Sequence, residues 1–211
     1  MELRDKNGLT EAEFLARYSP KDYPRPSLTA DAVIFAGSKD ALRLLLIKRG
    51  GHPYLGCYAL PGGFVNPDET VEQAARRELN EETGLNETRM SLVGVYSKPG
   101  RDPRTWVVST AFYAYLENGV NPTAGDDASD ARLFSLEYNL ESDTCTFTLT
   151  DGENKLSGKA KYSPDGMPTE IIESQGLAFD HVAIIADAIR KLQCRHLTRY
   201  KSDDNETGVC S

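Results

Sequence analysis

Basic residues are in deficit in this chain, cysteines are few, and long apolar runs are missing. The 24 Lys and Arg against 32 Asp and Glu leave a net charge of −8. That balance argues against nucleic-acid binding as the main function, because such surfaces are built from clustered cations. No apolar run approaches the ~20 residues that cross a bilayer, so no membrane partner is expected. The opening residues Met1 to Lys6 start neither a secretory signal nor a transit peptide, which makes the cytoplasm the expected compartment. Cys57, Cys145, Cys194 and Cys210 lie far apart with no Cys-x-x-Cys pair. Neither a zinc site nor a disulfide framework is suggested, and the thiols read as reduced and incidental. No internal repeat is visible.

What is there is an ordinary globular composition, 39% hydrophobic over 211 residues, enough for one domain of good size or one with a small appendage. Residues 1–26 read as a helix, with Thr10 as cap and Glu13 closing a capping box, and an extended Pro-rich arm that lies across the domain or crosses to a partner subunit. A core follows over 27–140. Strands are expected at Ser27 to Ala36 and Leu42 to Lys48, joined as a hairpin, the second with a continuous apolar run that suggests burial on both faces. A loop holding Arg49 and His52 comes next, then a short strand from Cys57 to Leu60 and a tight turn at Pro61-Gly62-Gly63. Further strands are expected at Ser91 to Tyr96, Thr105 to Leu116, with Trp106 as a packing aromatic, and Ala131 to Leu136. Over 141–193, strands at 144–150, 159–162 and 169–174 read as an accessory hairpin that covers a site or serves dimerisation. A helix capped by Asp180 ends this part, with His181 in a structural role. Residues 194–211 read as a polar, frayed tail.

The stretch from Gly63 to Leu85 carries the chemistry. Thr70 caps a helix, Gln73 completes a capping box, and Gly84 supplies the left-handed stop. Glu78, Glu81 and Glu82 then project from one side of the last two turns. Like charges at this spacing repel, and the macrodipole disfavours anions at a helix C-terminus. A cation is therefore expected there, and hard carboxylate oxygens suit Mg²⁺, or Mn²⁺. Arg77 is placed to orient the carboxylates, and Glu69 near the helix start reads as a structural hydrogen-bonding residue.

The order Gly63, Glu69, Arg77, Glu78, Leu79, Glu81, Glu82, Gly84, Leu85 fills every fixed position of the signature of the Nudix hydrolases, and the chain resembles that superfamily. The resemblance implies an α/β fold, an α/β/α sandwich around a mixed sheet, and hydrolysis of a nucleoside diphosphate linked to another moiety. It implies metal ligation by Glu78, Glu81 and Glu82 together with the carbonyl of Gly62, and structural places for Gly63 and Gly84. Arg101-Asp102-Pro103-Arg104, the strand after it, and Phe179-Asp180-His181 resemble the branch that handles ADP-ribose, which would be cleaved to AMP and ribose 5-phosphate. On that reading Arg101 and Arg104, with Arg49 as a weaker third, bind substrate; from spacing alone the loop is equally a surface turn. Asp126 and Asp127 are candidates for the base that activates water, or simply a capped polar loop. Relatives in this branch are commonly homodimers. Some continue into a winged-helix DNA-binding domain, for which the residues after Gln193 are too few. A hydrolase of nucleoside triphosphates or other diphosphate sugars, and a non-catalytic ADP-ribose sensor, are the alternatives.

Overall fold

The computed structural model describes residues 2–21, 23–86, 89–117, 130–163 and 169–203. Its axis is β1 (Ser27–Ala36), buried continuously from Thr29 to Ala36. Successive side chains of a strand point to opposite faces, and β1 uses both. Ala30, Ala32 and Ile34 face one layer, Val33 and Phe35 the other. Beside β1 and parallel to it runs β6 (Val107–Leu116), in register from Ser27 opposite Val107 to Ala36 opposite Leu116.

The expected hairpin partner, β2 (Arg43–Lys48), meets β1 only at Phe35–Leu44 and Ala36–Arg43 and then diverges toward β7 (Ala131–Leu140). The gap between β1 and β2 is filled by β3 (Tyr58–Ala59) on β2 and β4 (Gly62–Phe64) on β1. Gly62 and Gly63 are thus sheet residues opposite Asp31 and Ala30, not the tight turn expected from Pro61-Gly62-Gly63. With β5 (Ser91–Tyr96), β8 (Thr144–Thr150), β9 (Lys155–Lys161) and β10 (Glu170–Gln175), the ten-stranded mixed sheet runs β10-β9-β8-β7-β2-β1-β6-β5.

The segment expected as an accessory hairpin therefore continues the main sheet: β7 runs on to Leu140, and β8 and β9 extend from it with strictly alternating burial. Their inward side chains, Cys145, Phe147, Leu149, Leu156 and Ala160, pack with Val182, Ile185 and Ile189 of α3 (His181–Asp203). That helix reaches Asp203, past the point where fraying was expected. On the opposite face α2 (Val71–Thr83) buries Ala74, Ala75 and Leu79 against Ala30, Ala32, Ile34 and Phe112. Sheet between helices is the expected α/β/α sandwich.

At the N-terminus α1 (Glu11–Arg17) forms with the expected capping box and buries none of its residues. Trp106, expected to pack, precedes β6 and is 52% exposed; its carbonyl accepts the Ser27 N–H at 3.0 Å. Among the described residues no helix is long and apolar enough to cross a membrane.

Candidate active site

Local sequence sets the position of α2. The Thr70 side chain accepts the Gln73 N–H while the Gln73 side chain accepts the Thr70 N–H, and Gly84 ends the helix at φ 71, a left-handed conformation that suits glycine. Burial of Ala75 and Leu79 against the sheet turns Glu78 and Glu82 toward β4 and leaves Glu81 at the surface.

Arg77 is the organiser of this end. Its Nε and Nη2 donate to the two carboxylate oxygens of Glu69 at 3.1 and 2.7 Å, Nη1 donates to Glu78 at 2.8 Å and Glu81 at 2.9 Å, and Nη2 also donates to the Phe64 carbonyl at 3.0 Å. A planar guanidinium suits such bidentate contacts better than an ammonium would. The hydrogen bonds from Arg77, then that from the Asn66 N–H, hold the Glu69 carboxyl down to about 2. Glu69 Oε1 accepts that Asn66 N–H at 2.8 Å.

Glu78 and Glu82 behave differently. Burial pushes the Glu78 carboxyl up despite its contact with Arg77. Glu82 is pushed up to about 8, chiefly by burial, although it accepts the Gly62 N–H at 2.9 Å. The charge of Glu78 raises Glu82 further. The glycines permit the close approach. A Cβ on Gly63 would lie 2.3 Å from Glu78 Oε1, and one on Gly62 would lie 2.6 Å from Asp31 Oδ1 and 2.5 Å from the Ala30 carbonyl oxygen.

Beyond the glycines opens a cleft of about 180 Å³ whose walls include Asp31, Arg49, Gly62, Arg104 and Phe179. Arg49 donates from Nε to the Pro53 carbonyl at 2.7 Å, and burial, then the charge of Arg104, lowers its pKa. Two cations that strain against each other make a place for an anion. Arg104 is anchored to Asp102 at 2.7 Å while its side chain stays 42% exposed. Arg101, expected beside it as a substrate ligand, also lines the cleft, with its side chain buried in a bidentate pair with Asp180 at 2.9 and 2.7 Å. That pair also takes the Asp180 carboxylate away from the capping role expected of it, and ties the 97–104 loop to the start of α3. Asp126 and Asp127 lie outside the described residues. His52 sits exposed in its loop.

Two further polar residues of the cleft are buried: Asp31, which the sequence reading of the site passed over, and His181, read there as structural. Asp31, the lone carboxylate in the apolar run of β1, accepts a short hydrogen bond from Ser109; an acid amid eight buried positions was the available signal. His181 accepts the Leu60 N–H at Nδ1 (2.9 Å) and holds Nε2 3.9 Å from Asp31, which pins the chain just ahead of Gly62. Burial lowers its pKa below the ordinary 6.5, outweighing the Asp31 and Asp180 charges. The unfolded chain then takes up a proton near pH 6.5 that the folded protein refuses, so stability is lost as pH falls below that value. Asparagine at 181 retains an acceptor for Leu60 and does not titrate. His181→Asn is therefore expected to gain in Tm relative to the native protein between about pH 7 and about pH 5. Parallel Tm–pH curves in calorimetry would exclude His181 as the source.

Fold and site together define an α/β sandwich whose polar centre is the loop-helix segment 63–85. The NUDIX domain matches residues 25–144, and the chain belongs to the NUDIX family. It is 48% identical over 114 residues to the ADP-ribose pyrophosphatase of Methanocaldococcus jannaschii, covering 54% of this chain and 64% of that protein. It is 38% identical over 162 residues to the ADPR responsive transcriptional repressor NtrR of Acinetobacter baylyi, covering 74% and 65%. The chain thus spans just under two thirds of the length of either relative. Among solved structures it resembles the NUDIX domain of Shewanella oneidensis NrtR complexed with ADP ribose, with a TM-score of 0.62, 28% identity, and 87% and 99% of the two chains covered.

Proposed function

We propose that this chain is a Mg²⁺-dependent hydrolase that cleaves the diphosphate of a nucleoside diphosphate linked to another moiety, with ADP-ribose as substrate and AMP and ribose 5-phosphate as products. The observation that carries the reading is opposed charge on either side of two glycines: the desolvated Glu78 and Glu82, which lie against Gly63 and Gly62, and the guanidinium groups of Arg49 and Arg104, which line the cleft together with those glycines. A diphosphate needs both, cations for its oxygens and a carboxylate-held metal.

The donor set fits Mg²⁺, with Mn²⁺ as a substitute. Among the described residues no three His, Cys, Asp or Glu side chains form a cage by themselves, and Mg²⁺ commonly takes one or two carboxylates, waters and substrate phosphates instead. Glu78, Glu82 and the Gly62 carbonyl would hold it, with Glu81 assisting from the surface. When bound, the metal neutralises the diphosphate and favours in-line attack by water. Arg77 fixes the carboxylates through its four acceptors, and Arg49 and Arg104 grip phosphate oxygens. Arg101 acts at one remove, by fastening its loop to α3. Asp126 and Asp127 stay in the proposal as candidates for the base. The proposal includes a cytoplasmic homodimer; Phe14, Leu15 and Tyr18, exposed on and just after α1, support an interface there, and a monomer mass in sedimentation would refute it.

The test is kcat/KM on ADP-ribose against nucleoside triphosphates and other diphosphate sugars. ADP-ribose should lead by about tenfold or more, ~1.4 kcal/mol in transition-state terms. A triphosphate or another sugar leading would replace the substrate. The 38% identity to a repressor that responds to ADPR favours a second reading, a sensor, which tight ADP-ribose binding with no turnover would establish.

A further inference from the structure

A second cavity, of about 460 Å³, opens between the edge strand β5 and α3 and shares no lining residue with the cleft. Its walls include Gly94 and Tyr96 of β5, Tyr162, and Asp187, Arg190 and Lys191 of α3. Both oxygens of Asp187 are already taken, by the Tyr96 hydroxyl at 2.8 Å and the Thr169 hydroxyl at 2.6 Å. Burial pushes this carboxyl up, against those two hydrogen bonds and the charges of Arg190 and Lys191. Among the described residues it forms an ion pair with neither cation.

The two cations are held by other means. Arg190 lies over the Tyr162 ring, 4.6 Å from its centroid, and Lys191 donates to the Leu92 carbonyl at 3.1 Å. Tyr162 is itself fixed, for its ring is buried and its hydroxyl donates to the Ala186 carbonyl at 2.6 Å. A guanidinium seated on a fixed ring gives up little freedom on binding a ligand. Among the described residues its N–H donors have no acceptor. Successive helix residues ordinarily diverge, and a solvated helix end asks nothing else of them, yet Arg190 and Lys191 line one cavity. The opposite wall is left open at Gly94, where a Cβ would meet nothing closer than the Tyr96 ring at 3.7 Å, an ordinary contact.

Two cations beside a carboxyl that pairs with neither leave positive charge for a ligand to neutralise. A carboxylate brings one negative charge, whereas a phosphate monoester brings about −1.5 to −2 near pH 7 and three oxygens for a guanidinium and an ammonium to share. A space of this size also holds the organic part of a small molecule. We infer that the cavity between β5 and α3 is a second ligand site, which takes a small phosphate monoester with its phosphate group on Arg190 and Lys191. The inference needs neither the cleft nor a metal, and it stands apart from the proposed hydrolysis.

An NMR titration of the full chain with ribose 5-phosphate, without Mg²⁺, reads the two places separately, through the amides of Gly94 and Thr169 for the cavity and those of Gly63 and Arg104 for the cleft. The Gly94 and Thr169 signals are expected to shift saturably. Arg190→Gln and, independently, Lys191→Gln should weaken that binding by about tenfold, the loss expected for one charge-assisted hydrogen bond, and leave the response of Gly63 and Arg104 unchanged. Gly94→Val, which keeps both cations and puts a side chain into the cavity, should abolish it. No saturable shift at Gly94 and Thr169, binding that survives any of the three substitutions, or a parallel loss at Gly63 and Arg104 would overturn the site. Ribose or inorganic phosphate binding there as tightly as ribose 5-phosphate would overturn the monoester as its ligand.

Discussion

Glu82→Gln is expected to lose about three orders of magnitude in Mg²⁺-dependent turnover while melting at a higher temperature than the native protein when Mg²⁺ is withheld. The amide keeps an oxygen for the Gly62 N–H, which Glu82 accepts at 2.9 Å, so the local backbone has no reason to move. What it loses is a negative charge, and a metal-held transition state draws several kcal/mol from such ligands, on the order of 10³ in rate. What it gains is freedom from a buried anion. The folded-state pKa of Glu82 is raised from 4.5 to about 8, chiefly by burial. A raised carboxyl contributes stability below its unfolded value and loses it as pH rises through the folded one, so near pH 8 the native protein carries a cost the glutamine variant does not. Added Mg²⁺ should reverse the order by raising the Tm of the native protein alone. A variant that is less stable and equally active would mean that Glu82 is an ordinary packed carboxyl.

The second large effect is expected at glycine. Gly63→Ala places a methyl 2.3 Å from Glu78 Oε1 and 2.4 Å from its Cδ, and the carboxylate is held from the other side by Arg77 at 2.8 Å. The flexible partner must yield, so Glu78 shifts while the sheet stays. Displacement of a reacting-site group by about 1 Å costs on the order of 10² in rate, and kcat should fall by that much with Tm changed by only a few degrees. Gly62→Ala contrasts with it, because its methyl meets backbone, the Ala30 carbonyl at 2.5 Å. There the pairing of β4 with β1 has to give, and a fall in Tm should accompany the loss of activity. Two alanine variants that behaved alike would show that the carboxylate position is not what Gly63 protects.

How much of this could be read from the residues depended on how local the cause was. The caps at Thr70 and Gly84 and the capping box at Thr10 follow from neighbours within four positions and are present as expected. Of the three carboxylates expected on one helix side, Glu78 and Glu82 turn toward β4 while Glu81 lies at the surface. The burial of Leu44 to Ile47 is as expected, because a continuous apolar run has few other fates. Causes that lie far along the chain were not legible. Asp180 has the sequence of a helix cap, but Arg101 reaches it from another loop and takes its carboxylate. The strands after 143 looked like an accessory hairpin because nothing local says that β7 continues to Leu140 and offers its edge to β8. Pro61-Gly62-Gly63 looked like a turn because the divergence of β2 from β1, which opens an edge for Gly62 and Gly63, is a property of the sheet. Asp31 was visible as an acid in an apolar strand; its place opposite Gly62 and within 3.9 Å of His181 was not.

The most direct measurement is the time course of products from ADP-ribose with and without Mg²⁺. AMP and ribose 5-phosphate appearing in equal amounts, only when the metal is present, is the predicted result. ADP-ribose bound by the protein and recovered intact in the presence of Mg²⁺ would contradict it.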